Sequence, residues 1–591
     1  MRAEQFQDVI SKIRYMLSRY SLVLCMALLC AVSAICYIHQ SGQSGSTENF
    51  VFLKLELIFA LGISVLFGVK MLSDRWGQLL PLQLGALAFL FLYYLILPDS
   101  QEEFTEVYAY LVIPTFILSH LMVAFLPFLC ESASEARFWQ YNKNLFLNTF
   151  LTGVFTVILT SGMMLAILAM DHLFDLNIKS DYYLYTFSFL SIFGSCVIFL
   201  LFNAKGLSFL EKGQDYPTIL KFFTQYILIP LLIIYAFILY FYGLKILMQW
   251  ELPRGWVSYL IIAYSLVGIL ATLLVYPLKE NNVRSWVPLF SRIFYYTVLP
   301  LLVLLFTAIF TRILQYGYTE PRYFVLIIAL WLSVIVVYFI FIKNAHIKFV
   351  PLSLFIFGIA SLTLPGLNAF SVATRSQKNE LMAVLEQQQI LKNGEINFKK
   401  PISGKTAEDI SSKLSYLAIR NEDQFVLKLL PDSVKTKFKK EINAYAKSAV
   451  VENQFTNITP ETALESSMHH ILLTSPHKSE NIAGYRYLLE VRKSSTTFTV
   501  DNQNFTFVPP GDMIELEFPV LYNKERLNKL AGIEKLFNEN KSNPEKADLT
   551  FVDTIGSYQV KFIFSSLSRS SSAKGKDSYI ITGDSYFVLI R

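Results

Sequence analysis

Long apolar stretches dominate the first 370 residues of this chain and leave few choices for its fold. A helix needs about 20 apolar residues to cross the hydrocarbon core of a bilayer, and stretches of about that length recur along this part. We count eleven: 20–38, 51–70, 78–97, 107–129, 145–170, 183–203, 222–247, 256–276, 293–311, 322–342 and 349–369. The sequence therefore predicts a polytopic α-helical membrane domain with about eleven spans, which makes the lipid bilayer its first partner.

Charged residues separate this membrane part from the rest of the chain. Residues 1–370 hold 22 Lys/Arg and 19 Asp/Glu, about 11% of that part. Residues 371–591 hold 29 and 26, about 25%, which is the usual fraction in a soluble domain. We therefore predict two domains, a transmembrane domain over 1–370 and a water-exposed domain over 371–591.

The distribution of basic residues predicts the orientation in the membrane. Short cytoplasmic loops carry an excess of Lys and Arg. With the N-terminus in the cytoplasm, 16 Lys/Arg fall on the inner side and 5 in the short outer loops. Eleven spans from an inside start place residues 371–591 outside, in a periplasmic or extracytoplasmic position. An even number of spans would place them in the cytoplasm.

The water-exposed part combines helical and period-two patterns. Helices are predicted near 376–391, 406–417, 432–448 and 523–539 and after the cap at Thr459-Pro460, and most strands lie beyond residue 485. The stretch 568–576, rich in serine, is predicted to be a hairpin tip. Together these patterns predict a soluble α+β domain with a mostly antiparallel sheet.

Catalytic and metal-binding signatures are not evident in the sequence. The patterns His-Glu-x-x-His, Gly-x-Ser-x-Gly and Gly-x-Gly-x-x-Gly do not occur, and we predict no catalytic residue and no cofactor. The histidines at 469, 470 and 477 lack a carboxylate at ligand spacing, so we predict no metal site. The net charge of +6 fits cytoplasmic loops of a membrane protein, and the sequence carries no basic arm that would bind nucleic acid.

Two groups of polar residues in or beside the spans are candidate ligand sites. His120 falls in the middle of a predicted span, where it would serve as a proton relay or ligand contact, or else form an interhelical hydrogen bond. The second group lies at the outer ends of spans seven to ten and comprises Lys245, Arg254, Arg312, Glu320 and Arg322. Arginine suits recognition of carboxylate or phosphate, so this group could bind an anionic lipid headgroup or substrate. Alternatively, its members anchor the spans at the interface and form salt bridges to the soluble domain.

The same region resembles a known family. The matching residues are 226–230, 235, 239–242, 253–256, 277, 286, 290 and 312–323, with further matches at 392–394 and 483–485. In these residues the chain is similar to bacterial membrane proteins grouped as the domain-of-unknown-function 4153 family. The resemblance extends over about residues 140–500 and is strongest from 220 to 345. It implies a multi-pass protein of a bacterial inner membrane, and it supplies no activity, cofactor or site.

Three classes of function are compatible with these observations. We expect an envelope protein that senses, scaffolds or helps to assemble partner proteins through its extracytoplasmic domain. The first alternative is a transporter of a small or anionic solute or lipid, with broken helices at Pro230, Pro300 or Pro365-Gly366. The second alternative is a membrane enzyme that acts on a lipid-linked substrate, with an outer carboxylate as its catalytic group.

Overall fold

A computed structural model describes the chain from residue 13 to residue 591. It leaves out 42–49, 130–133, 213–215, 250–255, 280–286, 343, 442, 452–453, 456, 460–468, 476–481, 494–495, 512, 515–517, 541–546, 572–576 and 583–584. The chain divides into two compact units. The first contains residues 1–396 and 412–452, and the second contains residues 397–411 and 453–591.

Apolar helices build most of the first unit. In chain order they are α1 (Ser21–Ser41), α2 (Phe50–Trp76), α3 (Leu79–Ile96), α4 (Glu106–Phe125), α5 (Glu135–Phe174), α6 (Ser180–Phe189), α7 (Ser195–Phe202), α8 (Leu207–Leu210), α9 (Thr218–Phe222), α10 (Ile229–Gln249), α11 (Trp256–Leu274), α12 (Val287–Tyr316), α13 (Glu320–Phe341) and α14 (Phe349–Thr363). Two π-helical turns, Leu190–Gly194 and Phe223–Leu228, join α6 to α7 and α9 to α10. The predicted polytopic helical membrane part is confirmed.

The number of spans differs slightly from the prediction. Ten segments within the described residues are long and apolar enough to cross a membrane, against about eleven predicted. The eleventh predicted span, 349–369, contains α14, which has only 15 residues. The helix ends at Thr363, and Pro365 and Gly366 follow it with Gly366 at a φ of 72°. Proline and a left-handed backbone both stop a helix, so this segment is shorter than the usual length of a span.

Two hydrophobic cores hold the spans together. One core lies among α1–α8 and the other among α10–α13. Helix α14 contacts both: the rings of Phe355 and Phe125 lie 5.0 Å apart, and Trp331 donates its indole N–H to Ser353 Oγ at 3.0 Å. The indole N–H is thereby satisfied inside the protein, where an unpaired donor would be costly.

Five further helices follow the spans. They are α15 (Ala369–Gln387), α16 (Gly404–Ile419), α17 (Asp423–Leu429), α18 (Asp432–Lys440) and α19 (Ala444–Val451). Asn368 caps α15 by accepting a hydrogen bond from the backbone N–H of Ser371 at 2.8 Å. A short hairpin, β1 (Leu391–Lys392) with β2 (Glu395–Ile396), comes between α15 and α16.

The second unit is built mainly from antiparallel strands. They are β3 (Ile402–Ser403), β4 (Ile458–Thr459), β5 (His469–Thr474), β6 (Tyr487–Arg492), β7 (Thr497–Val500), β8 (Gln503–Thr506), β9 (Met513–Ile514), β10 (Pro519–Tyr522), β11 (Glu525–Asn528), β12 (Thr550–Ile555), β13 (Tyr558–Ile563), β14 (Ser566–Ser571), β15 (Asp577–Thr582) and β16 (Ser585–Ile590), with one helix, α20 (Leu530–Glu539). Three four-stranded sheets have the orders β11-β10-β8-β7, β12-β13-β16-β6 and β5-β14-β15-β9, and β3 pairs with β4 in parallel. The predicted region of antiparallel sheet after the spans is confirmed.

Aromatic side chains form the core of this second unit. Phe505, Phe507, Phe518 and Phe562 are buried, and the ring of Phe551 stacks on that of Phe562 at 4.7 Å. Fully buried aromatic side chains contribute strongly to the hydrophobic stabilisation of a domain. The strands therefore enclose a core of their own.

Candidate functional site

The loop between α12 and α13 is held tightly against α15. The backbone N–H of Tyr318 donates to Ser376 Oγ at 2.9 Å. Gln377, which is buried, donates from Nε2 to the carbonyl oxygens of Tyr316 and Tyr318, both at 2.9 Å. Gly317 has a φ of 71°, which favours glycine because a side chain would be strained there. The loop that the sequence marked as polar is thus a fixed joint between two spans and the first helix after them.

A buried ion pair lies directly beyond this loop. Glu320, the first residue of α13, has none of its surface exposed. Its carboxylate accepts hydrogen bonds from Arg420 Nε at 2.7 Å, from Arg420 Nη2 at 2.8 Å and from the Tyr416 hydroxyl at 2.7 Å. The Arg420 side chain is 6% exposed, and its Cζ atom lies 3.3 Å from the centre of the Tyr416 ring. We call Glu320, Tyr416 and Arg420 the buried triad.

Local helix geometry favours the charges at both ends of this pair. Glu320 occupies the first turn of α13, where the helix dipole stabilises a negative charge. Arg420 directly follows the last residue of α16, where the dipole stabilises a positive charge. Tyr416 lies one turn before Arg420, so both side chains project from the same face of the helix.

The surroundings perturb the pKa values of the two partners that lie outside the spans. Burial opposes the charge on Arg420, but its hydrogen bonds to Glu320 outweigh this effect and raise the pKa of the guanidinium. Burial also raises the pKa of Tyr416, which the positive charge of Arg420 only partly offsets. Arg420 therefore stays charged and Tyr416 stays a neutral donor across the physiological pH range.

Two of the predicted arginines meet at a neighbouring aromatic ring. Arg322 donates from Nη1 to the carbonyl oxygens of Tyr316 at 3.2 Å and Gly317 at 2.9 Å, and its Cζ lies 5.3 Å from the Tyr316 ring. The Cζ of Arg312 lies 6.0 Å from the same ring. The structure thus brings Arg312 and Arg322 together. The carboxylate that the sequence places between them bonds to Arg420 instead.

The remaining candidates lie apart or outside the described residues. Lys245 is exposed on α10. Gly243, two residues earlier, faces Leu304 of α12, and Leu304 lies two helical turns before Arg312. Arg254 lies outside the described residues. His120 is exposed on α4, and its Nδ1 is 2.8 Å from the carbonyl oxygen of Phe116 in the same helix. The hydrogen bond made by His120 is therefore within its own helix.

Sequence reasoning did not find Arg420 or Tyr416. They lie about 100 residues after Glu320, and no local pattern distinguishes this arginine from the other basic residues of the water-exposed part. The only signal is their spacing of four residues on a predicted helix, which places them on one face. A contact over such a sequence distance depends on the packing of the whole unit.

The arrangement of the buried triad suits a structural contact between helices better than catalysis or ligand binding. Two nitrogens of Arg420 and the hydroxyl of Tyr416 all donate to the carboxylate of Glu320, so both of its oxygens accept hydrogen bonds within the protein. Among the described residues there is no group of three or more His, Cys, Asp or Glu side chains that could hold a metal ion. The side chains at 469, 470 and 477 fall outside this description.

Comparison with known proteins identifies the family. The family model described as a domain of unknown function (DUF4153) matches residues 23–393. An uncharacterised protein of Pasteurella multocida (strain Pm70) is 30% identical over 212 residues, which make up 35% of this chain and 35% of that relative. The alignment thus spans about a third of the relative's length, and no solved structure matches the chain. Because the family model covers more than half of the residues, the chain belongs to the DUF4153 family of multi-pass membrane proteins.

Proposed function

We propose that this protein is an envelope protein of the bacterial inner membrane that senses, scaffolds or helps to assemble partner proteins. In this proposal α14 crosses the bilayer as a short eleventh span, the N-terminus lies in the cytoplasm and residues 371–591 lie on the extracytoplasmic side. The excess of Lys and Arg in the loops on the N-terminal side supports this orientation. The water-exposed residues supply the surface that binds the partner.

The buried triad is the observation on which this proposal mainly rests. Replacing a buried ion pair by apolar side chains is often neutral or stabilising, so such a pair is a poor source of net stability. It can instead fix one geometry, because the charged groups are satisfied in only one arrangement. Here the pair joins the start of α13 to the end of α16. A protein that senses or scaffolds partner proteins needs its water-exposed helices held in a fixed position relative to its spans, and this joint would do so.

One face of the second unit has the character of a binding surface. Leu488, Val552 and Phe587 are 55%, 49% and 37% exposed. Strand register places them on the same face of the β12-β13-β16-β6 sheet: Val552 pairs with Lys561, Lys561 with Leu589, and Leu589 with Leu488. Exposed apolar side chains grouped on a sheet in water are typical of protein interaction sites. We call these three residues the apolar sheet face.

In-cell photo-crosslinking tests the proposal. A photoreactive amino acid is introduced separately at Leu488, Val552 and Phe587, and at Gln503 in another sheet as a matched control. We expect one and the same protein adduct from the three positions and none from the control. When the photoreactive amino acid stands at position 488, adding Phe587→Glu should abolish the adduct, because a charge is then placed on the apolar sheet face. Adducts that are equally abundant at Gln503, or absent from all three positions, would contradict a partner at this face.

A transporter remains the second candidate because of one feature within a span. The π-helical turn Phe223–Leu228 ends two residues before Pro230, and the polar side chains of its Thr224 and Gln225 are buried. Interrupted helices expose backbone groups that can bind a substrate inside the membrane, and π-turns occur often at functional sites. A solute flux into proteoliposomes that is abolished by Gln225→Leu, with folding intact, would favour transport over the envelope role.

A further inference from the structure

A polar cavity of about 620 Å³ lies beside the buried triad in the first unit. One wall is the beginning of α15, which contributes Phe370, Ser371, Thr374, Arg375, Lys378 and Asn379. Glu320 and Arg420 form a second wall, and Val107 of α4 and Glu422 complete the lining. Because Val107 and Glu320 stand at the ends of two apolar spans, the cavity lies where the spans end.

The charges around this cavity are paired except for one arginine. Arg420 is neutralised by Glu320, and Lys378 donates to Glu422 at 2.6 Å. Arg375 is the third cation, and it donates from Nη2 to the uncharged carbonyl oxygen of Gly366. Three cations and two carboxylates line the cavity, and Glu106 lies just outside the lining, 3.5 Å from Arg420. Arg375 is the lining cation that forms no ion pair with a lining carboxylate, and it is exposed.

Neutral donors and apolar groups surround this charge. The hydroxyls of Ser371 and Thr374 and the amide of Asn379 belong to the same wall as Arg375. A planar guanidinium with several donors matches the oxygens of a phosphate, and hydroxyl and amide groups can donate to the oxygens that remain. Phe370 and Val107 add apolar surface of the kind that contacts the glycerol and chain ends of a lipid.

We propose that this cavity binds a phosphate ester, with Arg375 as its principal ligand. The volume admits a phosphate group together with the alcohol attached to it, and the guanidinium of Arg375, which pairs with no lining carboxylate, favours an anion. The position at the span ends fits the headgroup of a phospholipid, and a water-soluble phosphate ester would present the same chemistry. The site differs from the group around Arg312 and Arg322, since neither arginine lines the cavity.

Binding experiments on the full-length protein in a neutral detergent test this proposal. Native mass spectrometry measures binding of phosphatidylglycerol, with diacylglycerol as the probe that lacks phosphate. Thermal unfolding with sn-glycerol 3-phosphate measures binding of the soluble ester. Both are repeated with Arg375→Gln, with Thr374→Val, and with Lys437→Gln as a control that removes the same charge from an exposed site on α18.

We expect Arg375→Gln to weaken phosphatidylglycerol binding at least about tenfold, because a hydrogen bond to a charged group is lost. Thr374→Val should weaken it less, Lys437→Gln should leave it unchanged, and diacylglycerol should not bind specifically. Binding of glycerol phosphate alone, with the same dependence on Arg375, would support the site and identify a soluble ester as the ligand. If Arg375→Gln does not fold, Thr374→Val tests the site instead: weaker binding of phosphatidylglycerol would support the proposal, and unchanged binding would overturn it. Equal losses in Arg375→Gln and Lys437→Gln, or no binding of either phosphate probe, would overturn the proposal.

Discussion

Removing one partner of the buried triad should loosen the helices that follow the spans. In Glu320→Leu, Arg420 keeps its charge inside the protein, loses both of its strong hydrogen bonds and retains only a 3.5 Å contact with the half-exposed Glu106. Removing one member of a buried ion pair typically costs about 3–5 kcal/mol, because the other charge is left without compensation. Arg420→Met should cost a similar amount for the same reason.

The double variant distinguishes this mechanism from ordinary loss of packing. Glu320→Leu with Arg420→Met leaves no uncompensated charge, so it should be more stable than either single variant. The coupling energy of this cycle should then be about 3 kcal/mol or more. Lys378→Met is the matched control, since Lys378 and Glu422 form an ion pair whose side chains are 28% and 31% exposed. A pair of this exposure contributes only about 0–1 kcal/mol.

Hydrogen exchange of the full-length protein in lipid nanodiscs measures these differences locally. A cost of about 3–5 kcal/mol corresponds to exchange more than about a hundredfold faster in residues 412–429, because each 1.4 kcal/mol is a factor of ten. The apolar spans should exchange as in the wild type. Exchange in Glu320→Leu that is no faster than in Lys378→Met would refute the view that the triad fixes these helices.

Two further substitutions have expected outcomes. Gly317→Ala should destabilise the joint more than Gly366→Ala. Both glycines have a φ near 70°, so the backbone strain is similar. A Cβ at 317 would meet three side-chain atoms of α15 within about 3 Å, whereas a Cβ at 366 would have nothing within 4 Å. The measurement is hydrogen exchange of α15, and equal effects would show that only backbone strain matters. Ser353→Ala should cost about 1–3 kcal/mol, because the indole N–H of Trp331 would lose its acceptor. Trp331→Phe is itself destabilising because it leaves a cavity, but in that background Ser353→Ala should cost little more, and an undiminished cost in thermal unfolding would contradict the role of this hydrogen bond.

The spans could be predicted from the sequence because their signal is local. A helix in lipid needs only a long apolar run, and ten of the predicted runs contain such helices. The eleventh run was harder to judge, since composition gives the length of an apolar stretch but Pro365 and Gly366 determine where the helix ends. The orientation depends on this segment and therefore stays a prediction.

Two predictions in the water-exposed part differ from the structure in where the elements begin or end. The stretch 568–576 was predicted to be a hairpin tip, but residues 568–571 continue strand β14 (Ser566–Ser571), which pairs with β5 and β15, and 572–576 lie outside the described residues. Serine has little intrinsic preference for strands, so neighbouring strands determine this one. The predicted helix 523–539 begins only at Leu530, because Asn523 and Lys524 take positive φ values of 48° and 72° and form the turn of the β10–β11 hairpin.

The candidate site shows the limit of sequence reasoning more clearly. The segment around Glu320 was identified from its polar residues, and one alternative was that they form salt bridges to the water-exposed domain, but the sequence named no partner for Glu320. The observed partner, Arg420, comes from a helix about 100 residues later. Tertiary packing, which a single sequence does not display, decides between such alternatives.

The side of the membrane occupied by residues 371–591 is the most direct test of the proposed envelope role. In a variant without native cysteines, Lys437→Cys and Lys212→Cys each introduce one exposed thiol, the first in α18 and the second in a loop on the predicted inner side. Spheroplasts are treated with a maleimide that does not cross membranes. Labelling of Lys437→Cys in intact spheroplasts, with Lys212→Cys labelled only after permeabilisation, is the expected result. Labelling of Lys437→Cys only after permeabilisation would place the C-terminal part in the cytoplasm and contradict the proposal.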